Sequence, residues 1–190
     1  MEIIKKFLVT IVLLIISSGL VNACIKQNDV EIPKEDDLKK MAYTIIDYIA
    51  EENKKGIINL LDKESSIRVF GDAGLTWQEV ENEFHKRGWI YKRMFDTKGH
   101  LEYHKEFIIQ NKASIRPDEL LSIKDNFIEA RKKGINIKLK PIVTALGLEY
   151  VSVTIDWKGK PDNYCGYGFW ARYKNGRWVL ADIVFRDGNI

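Results

Sequence analysis

The chain reads GYGFWARYKNGRWVLADIVF from residue 166 to residue 185. Asn175-Gly176 separates two apolar runs, and this dipeptide favours a two-residue turn because both of its positions tolerate a positive φ. Such a turn pairs Lys174 with Arg177. It therefore predicts a β-hairpin whose strands cover residues 166–174 and 177–185.

The turn also predicts which side chains share a face, because residues directly opposite each other in a hairpin lie on the same side of the sheet. Continued along the strands, this pairing sets Phe169 opposite Asp182. One face then carries apolar side chains and a single carboxylate. Its members are Tyr167, Phe169, Tyr173, Trp178, Leu180, Val184 and Asp182. The other face is also largely apolar, so we expect the hairpin to be covered on both sides.

Two further long strands are predicted before this hairpin, over residues 135–146 and 148–157, joined near Gly147. Pro141 has no backbone N–H to donate, so it places the first of them at a sheet edge or at a bulge. Shorter apolar runs predict strands over residues 67–70, 89–95 and 101–109.

Four helices are predicted from apolar spacing and from end signals. Carboxylates at residues 35–37 open the first, and Gly56 breaks its apolar run. Residues 57–61 form a second, shorter helix. A capping box, Thr76-Trp77-Gln78-Glu79, opens a third that runs to about Lys86. Pro117-Asp118-Glu119 opens a fourth, which runs to Lys132 with Gly134 just past its end.

The composition fits one globular domain. The 190 residues are 45% hydrophobic and 30% charged, with a formal net charge of +3. Basic and acidic residues are interleaved along most segments, so no phosphate-binding stripe is evident and no nucleic-acid partner is predicted. No phosphate loop, dinucleotide fingerprint or zinc-cysteine spacing occurs, and no cofactor is predicted.

The first 24 residues have the organisation of an export signal. Lys5 and Lys6 precede an apolar run over residues 7–16, which is shorter than the ~20 residues of a membrane-spanning helix. Leu20-Val21-Asn22-Ala23-Cys24 follows, and it resembles the bacterial lipobox. The resemblance implies that residues 1–23 are a cleaved signal peptide and that Cys24 carries a diacylglycerol thioether and palmitate.

Lipidation implies a location as well as a domain plan. Residues 24–34 become a tether, and residues 35–190 form a single α+β domain. The membrane is then a partner through the lipid at Cys24. The expected location is the cell envelope, at the outer membrane or at the outer face of the plasma membrane. The alternatives are a secreted protein cut after Ala23 and an uncleaved anchor.

The order of elements, ending in Lys174-Asn175-Gly176-Arg177-Trp178-Val179-Leu180, resembles the cone-shaped superfamily of nuclear transport factor two, ketosteroid isomerase and scytalone dehydratase. The resemblance implies an α+β fold in which N-terminal helices pack on a curved, mainly antiparallel sheet, a cystatin-like cone that leaves a pocket. Enzymes and binding modules share that fold, so it leaves the function open.

Asp182 is the candidate catalytic residue, because desolvation among aromatic side chains raises the pKa of a carboxyl group. Enzymes of the ketosteroid-isomerase type, which the chain resembles, use such carboxyl groups as acid, base or hydrogen-bond donor. The alternatives are that Asp182 bonds a tyrosine hydroxyl or a backbone group, or that it lies where the sheet edge meets water. Together with Tyr167, Phe169, Tyr173 and Trp178, it forms the candidate binding surface.

Two other patterns are candidate sites. On a strand, His100, Glu102 and His104 share a face, where two imidazoles and a carboxylate are metal ligands. Three consecutive ligands on one strand rarely reach a single ion, so an exposed polar face is the favoured interpretation and no metal is predicted. Cys165 has no activating neighbour in the sequence and is interpreted as structural or incidental.

The leading functional hypothesis is a membrane-anchored lipoprotein with a non-catalytic domain that binds a small apolar ligand or a protein partner. A small enzyme of ketosteroid-isomerase or dehydratase type, using Asp182, is the second hypothesis. An immunity or inhibitor protein that occupies a partner's active site is the third.

Overall fold

The first helix begins where the carboxylates predict it. In the computed structural model, which describes residues 30–69, 74–112, 120–144, 147–158 and 167–183, α1 spans Glu35–Ala50. Its first turn is acidic, which complements the positive end of the helix dipole. One face of α1 is buried, and its members are Leu38, Met41, Ala42, Ile45, Ile46 and Ile49.

The sequence prediction is wrong for the start of the second helix and is confirmed for the start of the third. Helix α2 spans Lys54–Leu60 and contains Gly56, which was expected to lie outside any helix. A Cβ at Gly56 would lie 2.6 Å from the ring of Tyr48, so this glycine permits close helix packing. Helix α3 spans Trp77–His85, and the predicted capping box at its start is confirmed.

The strands predicted over residues 89–95 and 101–109 are wrong. The structure has three short helices there: α4 (Trp89–Phe95), α5 (Thr97–Tyr103) and α6 (Lys105–Asn111). The buried residues of α4 are Ile90, Tyr91, Met94 and Phe95. Ile90 and Met94, like Tyr91 and Phe95, are four residues apart, so the buried side chains share one face of a helix. A run this short does not separate helix from strand by its apolar content alone.

Helix α7 spans Ile123–Lys133 and is capped by the Ser122 side chain, which accepts from the backbone of Asp125. The helix was predicted to open at residues 117–119, which lie outside the described residues, and its predicted course through residues 120–122 is wrong, because α7 begins only after Ser122. Its end is as predicted, because Gly134 follows with φ 83° and the last turn carries Arg131, Lys132 and Lys133.

The sheet confirms the α+β class. Its strands are β1 (Arg68–Val69), β2 (Ile135–Thr144), β3 (Gly147–Trp157), β4 (Tyr167–Lys174) and β5 (Arg177–Ile183). Their order is β1-β5-β4-β3-β2. Every neighbouring pair is antiparallel except β1 with β5, which is parallel. Strand β2 is an edge with an irregularity after Ile142, as Pro141 predicted.

The two sheet faces have different roles. Helices α1 and α2 contact β5, and α7 contacts β3. The inner face joins the hydrophobic core through Val151, Val153, Ile155, Phe169, Ala171 and Leu180. We call the opposite side the outer face. Register and strand alternation assign to it Arg68, Lys138, Lys140, Tyr150, Ser152, Trp170, Arg172 and Asp182.

Candidate functional site

The hairpin turn is as predicted, but the register changes partway along the strands. Asn175 and Gly176 both have positive φ, 51° and 79°. The pairings of Tyr173 with Trp178 and of Ala171 with Leu180 are confirmed. A shift between Trp170 and Ala171 then sets Trp170 opposite Asp182. One step along β4, from Ala171 to Trp170, corresponds to two steps along β5, from Leu180 to Asp182. Ala181 is therefore an extra residue, and the irregularity is a β-bulge.

The bulge moves the candidate carboxylate to the other side of the sheet. The predicted pairing of Phe169 with Asp182 is wrong, since Asp182 shares the outer face with Trp170. The predicted partner of Tyr167, Val184, lies outside the described residues. Because side chains alternate with a period of two, one extra residue was enough to reverse the assignment of Asp182.

Asp182 is almost fully buried, with 2% of its surface exposed. Arg68 lies beside it on the parallel strand β1, and its Nε donates to Oδ2 of Asp182 at 2.9 Å. Oδ1 of Asp182 accepts no hydrogen bond from the described part of the chain. Burial raises the pKa of Asp182 to about 6, against the opposing effect of Arg68. The predicted upward direction of this pKa is confirmed.

Arginine and aromatic side chains form a continuous stack on the outer face. The guanidinium of Arg68 lies 4.6 Å from the ring centroid of Trp170, whose ring is 5.5 Å from that of Tyr150. Arg172 in turn lies 4.6 Å from the Tyr150 ring. Cation–π contacts of this kind hold a guanidinium in a defined plane.

A second buried carboxylate fixes the other end of this stack, and it was not identified from the sequence. Nη1 of Arg172 donates to Oδ2 of Asp62 at 3.1 Å, and Asp62 is 1% exposed. Burial tends to raise the pKa of Asp62. Hydrogen bonds from Glu64 and Ser65 and the charges of Lys174 and Arg172 outweigh burial and hold that pKa below its usual value. The only local signal was a carboxylate directly after an apolar helix.

The outer face therefore has a recurring arrangement, with the acidic group buried and the basic group exposed. Lys138 repeats it, since its Nζ lies 3.0 Å from Asp156, and their side chains are 61% and 13% exposed. The exposed charged groups of this face are therefore cations, and the carboxylates of Asp182, Asp62 and Asp156 lie beneath them. Glu64, which is 64% exposed and pairs with Lys174 at 2.7 Å, is an exposed carboxylate beside the face.

The aromatic residues of the predicted binding surface lie in or beside the core. Tyr167, Phe169 and Trp178 are buried. Tyr167 stacks on Trp157 at 5.9 Å and accepts a hydrogen bond of 2.5 Å from Nδ2 of Asn126. Tyr173 is half-buried against Trp178. Their role as ligand contacts stays a prediction.

The histidine pattern lies on a helix. His100 is buried in α5, with Nε2 2.9 Å from Nη1 of Arg93. His104 follows one turn later, with its ring 4.8 Å from that of His100. Burial and the charge of Arg93 lower the pKa of His104. Within the described ranges, no three His, Cys, Asp or Glu side chains are grouped so that they could hold a metal ion.

The turn between α5 and α6 also bounds a depression of about 480 Å³ lined by residues 102–107. Its lining includes the exposed rings of Tyr103 and Phe107. Glu102 is exposed at the same turn. The candidate lipidation residue Cys24 and the thiol Cys165 both lie outside the described residues.

No family model matches this sequence, and no curated protein matches it either. Among the described helices, none has both the length and the apolar character needed to cross a bilayer.

Proposed function

We propose that this protein is an exported lipoprotein, held to the cell envelope by acyl chains on Cys24, with a non-catalytic domain that binds a partner. The support for the anchor is the charged, apolar and lipobox-like order of residues 1–24. Each buried acyl methylene contributes roughly 0.8 kcal/mol, so two or three chains are enough for stable attachment.

The finer fold assignment is part of the same proposal. We infer a cone of the type shared by nuclear transport factor two and ketosteroid isomerase. Helices on one face of an open sheet and a final hairpin that carries Trp178 support this assignment. The parallel strand β1, which pairs with β5, extends that sheet.

The arrangement of the outer face is the observation that carries the binding role. Its exposed charged groups are cations, at Arg68, Lys138 and Lys140. Arg68 and Arg172 are held in place by rings and by the buried carboxylates of Asp182 and Asp62. Rigid, oriented donors favour recognition of a partner, because little side-chain entropy is lost when it binds. Asp182, the candidate acid–base residue, has Arg68 as its ion-pair partner.

The anchor is tested by mass spectrometry of the mature protein from its native host, or from a bacterium that processes lipoproteins. We expect an N-terminus at Cys24 with the added mass of diacylglycerol, and recovery in the membrane fraction. The Cys24→Ser variant should lose both. A native protein that retains Met1, or that starts elsewhere with an unmodified Cys24 thiol, would contradict the proposal.

A second candidate function is supported by Asp182 alone. A buried carboxyl group with a pKa of about 6, whose Oδ1 accepts no hydrogen bond from the described residues, suits proton abstraction near neutral pH. Isomerisation of a β,γ-unsaturated ketone to its conjugated form, followed by absorbance, tests this chemistry. If the wild type is active and Asp182→Asn is not, the result would support the enzyme hypothesis. Equal rates in the two proteins would contradict it.

A further inference from the structure

We propose that the outer face binds an acidic segment of a partner protein, with Arg68 as the principal carboxylate-binding residue. The inference specifies the partner of the binding domain proposed above and rests on that binding role, although it does not depend on the lipid anchor. Three observations support it: the geometry of Arg68, the row of paired residues that crosses the sheet, and the arginine side chains that cover the aromatic rings of the outer face.

Arg68 has an open hydrogen-bonding edge. Its Nε donates to Asp182, and its guanidinium carbon lies over the Trp170 ring, 4.6 Å from the ring centroid. Within the described residues, the polar partner found for Arg68 is Asp182, which it contacts through Nε and not through its two terminal nitrogens, and its side chain is 52% exposed. A guanidinium fixed on one side and stacked on a ring presents its remaining N–H groups in the fork that matches the two oxygens of a carboxylate.

A row of aligned residues extends this site across the strands. Arg68 pairs with Asp182, Asp182 with Trp170, Trp170 with Ser152, and Ser152 with Lys140. Four strand spacings of about 4.8 Å separate its cationic ends by roughly 19 Å. Lys140 is exposed, and the carboxylate of Asp156 pairs with its neighbour Lys138 on the same strand face. An extended segment rising ~3.3 Å per residue meets both ends with carboxylates about six residues apart.

The same face disfavours a nucleic acid. Bases bind open protein surfaces by stacking on free aromatic rings. Here Arg68 already lies over Trp170, Arg172 lies over Tyr150, and the two rings are neighbours. Carboxylates beneath Arg68, Arg172 and Lys138 also reduce the net positive potential, which a phosphate polymer or an anionic membrane requires. A single Glu or Asp side chain of a partner protein, in contrast, can bind to one exposed guanidinium or ammonium group without a large positive potential.

Fluorescence anisotropy with the full-length protein in a non-ionic detergent tests the proposal. The probe is a labelled 12-residue peptide with Glu at positions 3 and 9 in a Ser-Gly background, and its matched peptide has Gln at both positions. We expect the Glu peptide to bind about tenfold more tightly, and Arg68→Ala to remove about that factor. Arg68→Lys should restore binding only in part, because an ammonium lacks the fork. Lys140→Ala should cause a smaller loss.

Two matched variants keep this test sharp. Arg131→Ala removes an arginine that is also paired with a carboxylate, Asp47 at 3.4 Å, and is 44% exposed, but it lies on α7 and should leave binding unchanged. Arg68→Ala leaves Asp182 buried without its cation. The double variant Arg68→Ala/Asp182→Asn therefore removes the unpaired charge, and it should still fail to bind.

Three results would overturn the inference. These are equal affinity for the Glu and Gln peptides, no measurable binding of either, and binding that survives the loss of Arg68. Competition with a 12-nucleotide single strand and with monomeric short-chain phosphatidylglycerol distinguishes the other anions, and tighter binding of either at Arg68 would also overturn it. Acylation of Cys24 is measured by mass spectrometry and not by peptide binding. Failure of the lipid-anchor proposal can therefore be distinguished from failure of the acidic-segment proposal.

Discussion

Arg68 and Asp182 lie directly opposite each other in the parallel β1–β5 ladder, and Nε of Arg68 donates to Oδ2 of Asp182 at 2.9 Å. The pair joins the two-residue strand β1 to the end of the last hairpin. One member is half exposed and the other is buried. The carboxylate is therefore largely removed from water, while its partner stays available to solvent.

The first prediction concerns how Asp182 makes stability depend on pH. Its pKa is about 6 in the folded protein and close to 3.8 when unfolded, so the native state binds more protons between these values. Stability from this group is greatest below pH 4 and falls as the pH rises to 6 and above, by about 3 kcal/mol in total. Denaturant unfolding of the wild type and of Asp182→Asn from pH 4 to pH 7 measures the difference.

Asn cannot ionise, so the pH dependence of the Asp182→Asn variant comes from the other titrating groups. The variant is therefore the reference against which the contribution of Asp182 is measured. The unfolding free energy of the wild type minus that of Asp182→Asn should decrease as the pH rises. A difference that is flat across this range would show that Asp182 stays ionised throughout, and that Arg68 fully offsets its burial.

Asp62 should show the opposite dependence. Its pKa is held below the usual value, so the stability it contributes is present above about pH 4 and is lost as the pH falls below that point. Asp62→Asn leaves Arg172 with less compensation, and we expect a loss of about 3 kcal/mol at pH 7. Urea unfolding at pH 7 and pH 3 checks both parts, and an undiminished loss at pH 3 would contradict the assignment.

The features that sequence predicted well are those decided by local chemistry. The Asn175-Gly176 turn, the capping box at Thr76 and the edge position of Pro141 each follow from backbone preferences within a few residues. Helices over residues 89–111 were missed because their short apolar runs suit either periodicity.

The candidate site was misplaced for a different reason. The bulge between Trp170 and Asp182 has no signal such as glycine at the extra residue, Ala181, and it reverses the face of everything beyond it. The pairing of Asp62 with Arg172 joins positions 110 residues apart. No periodicity within one element could indicate that contact.

The capping box gives a third prediction. The backbone N–H of Thr76 donates to Glu79 at 2.7 Å, and that of Glu79 donates to Oγ1 of Thr76 at 3.3 Å. Thr76→Ala removes the second bond and should cost about 1 kcal/mol of unfolding free energy. Thr44→Ala is the matched control, because its hydroxyl bonds within α1 to Lys40. It should have almost no effect, and equal losses in the two variants would contradict a specific role for the cap.

The last prediction concerns the start of the domain. Nε1 of Trp178 donates to the carbonyls of Pro33 and Lys34 at 3.1 and 3.3 Å, so the segment before α1 is held against the final hairpin. Trp178→Phe keeps an aromatic ring but loses these bonds, at a cost of about 1 kcal/mol. Because local opening then becomes easier, trypsin should release the fragment that begins at Glu35 several-fold faster, as measured by mass spectrometry. Trp77→Phe is the control, since the Trp77 ring instead lies beneath Nζ of Lys63 at 3.9 Å. Equal cleavage rates in the wild type and Trp178→Phe would show that packing alone holds the segment.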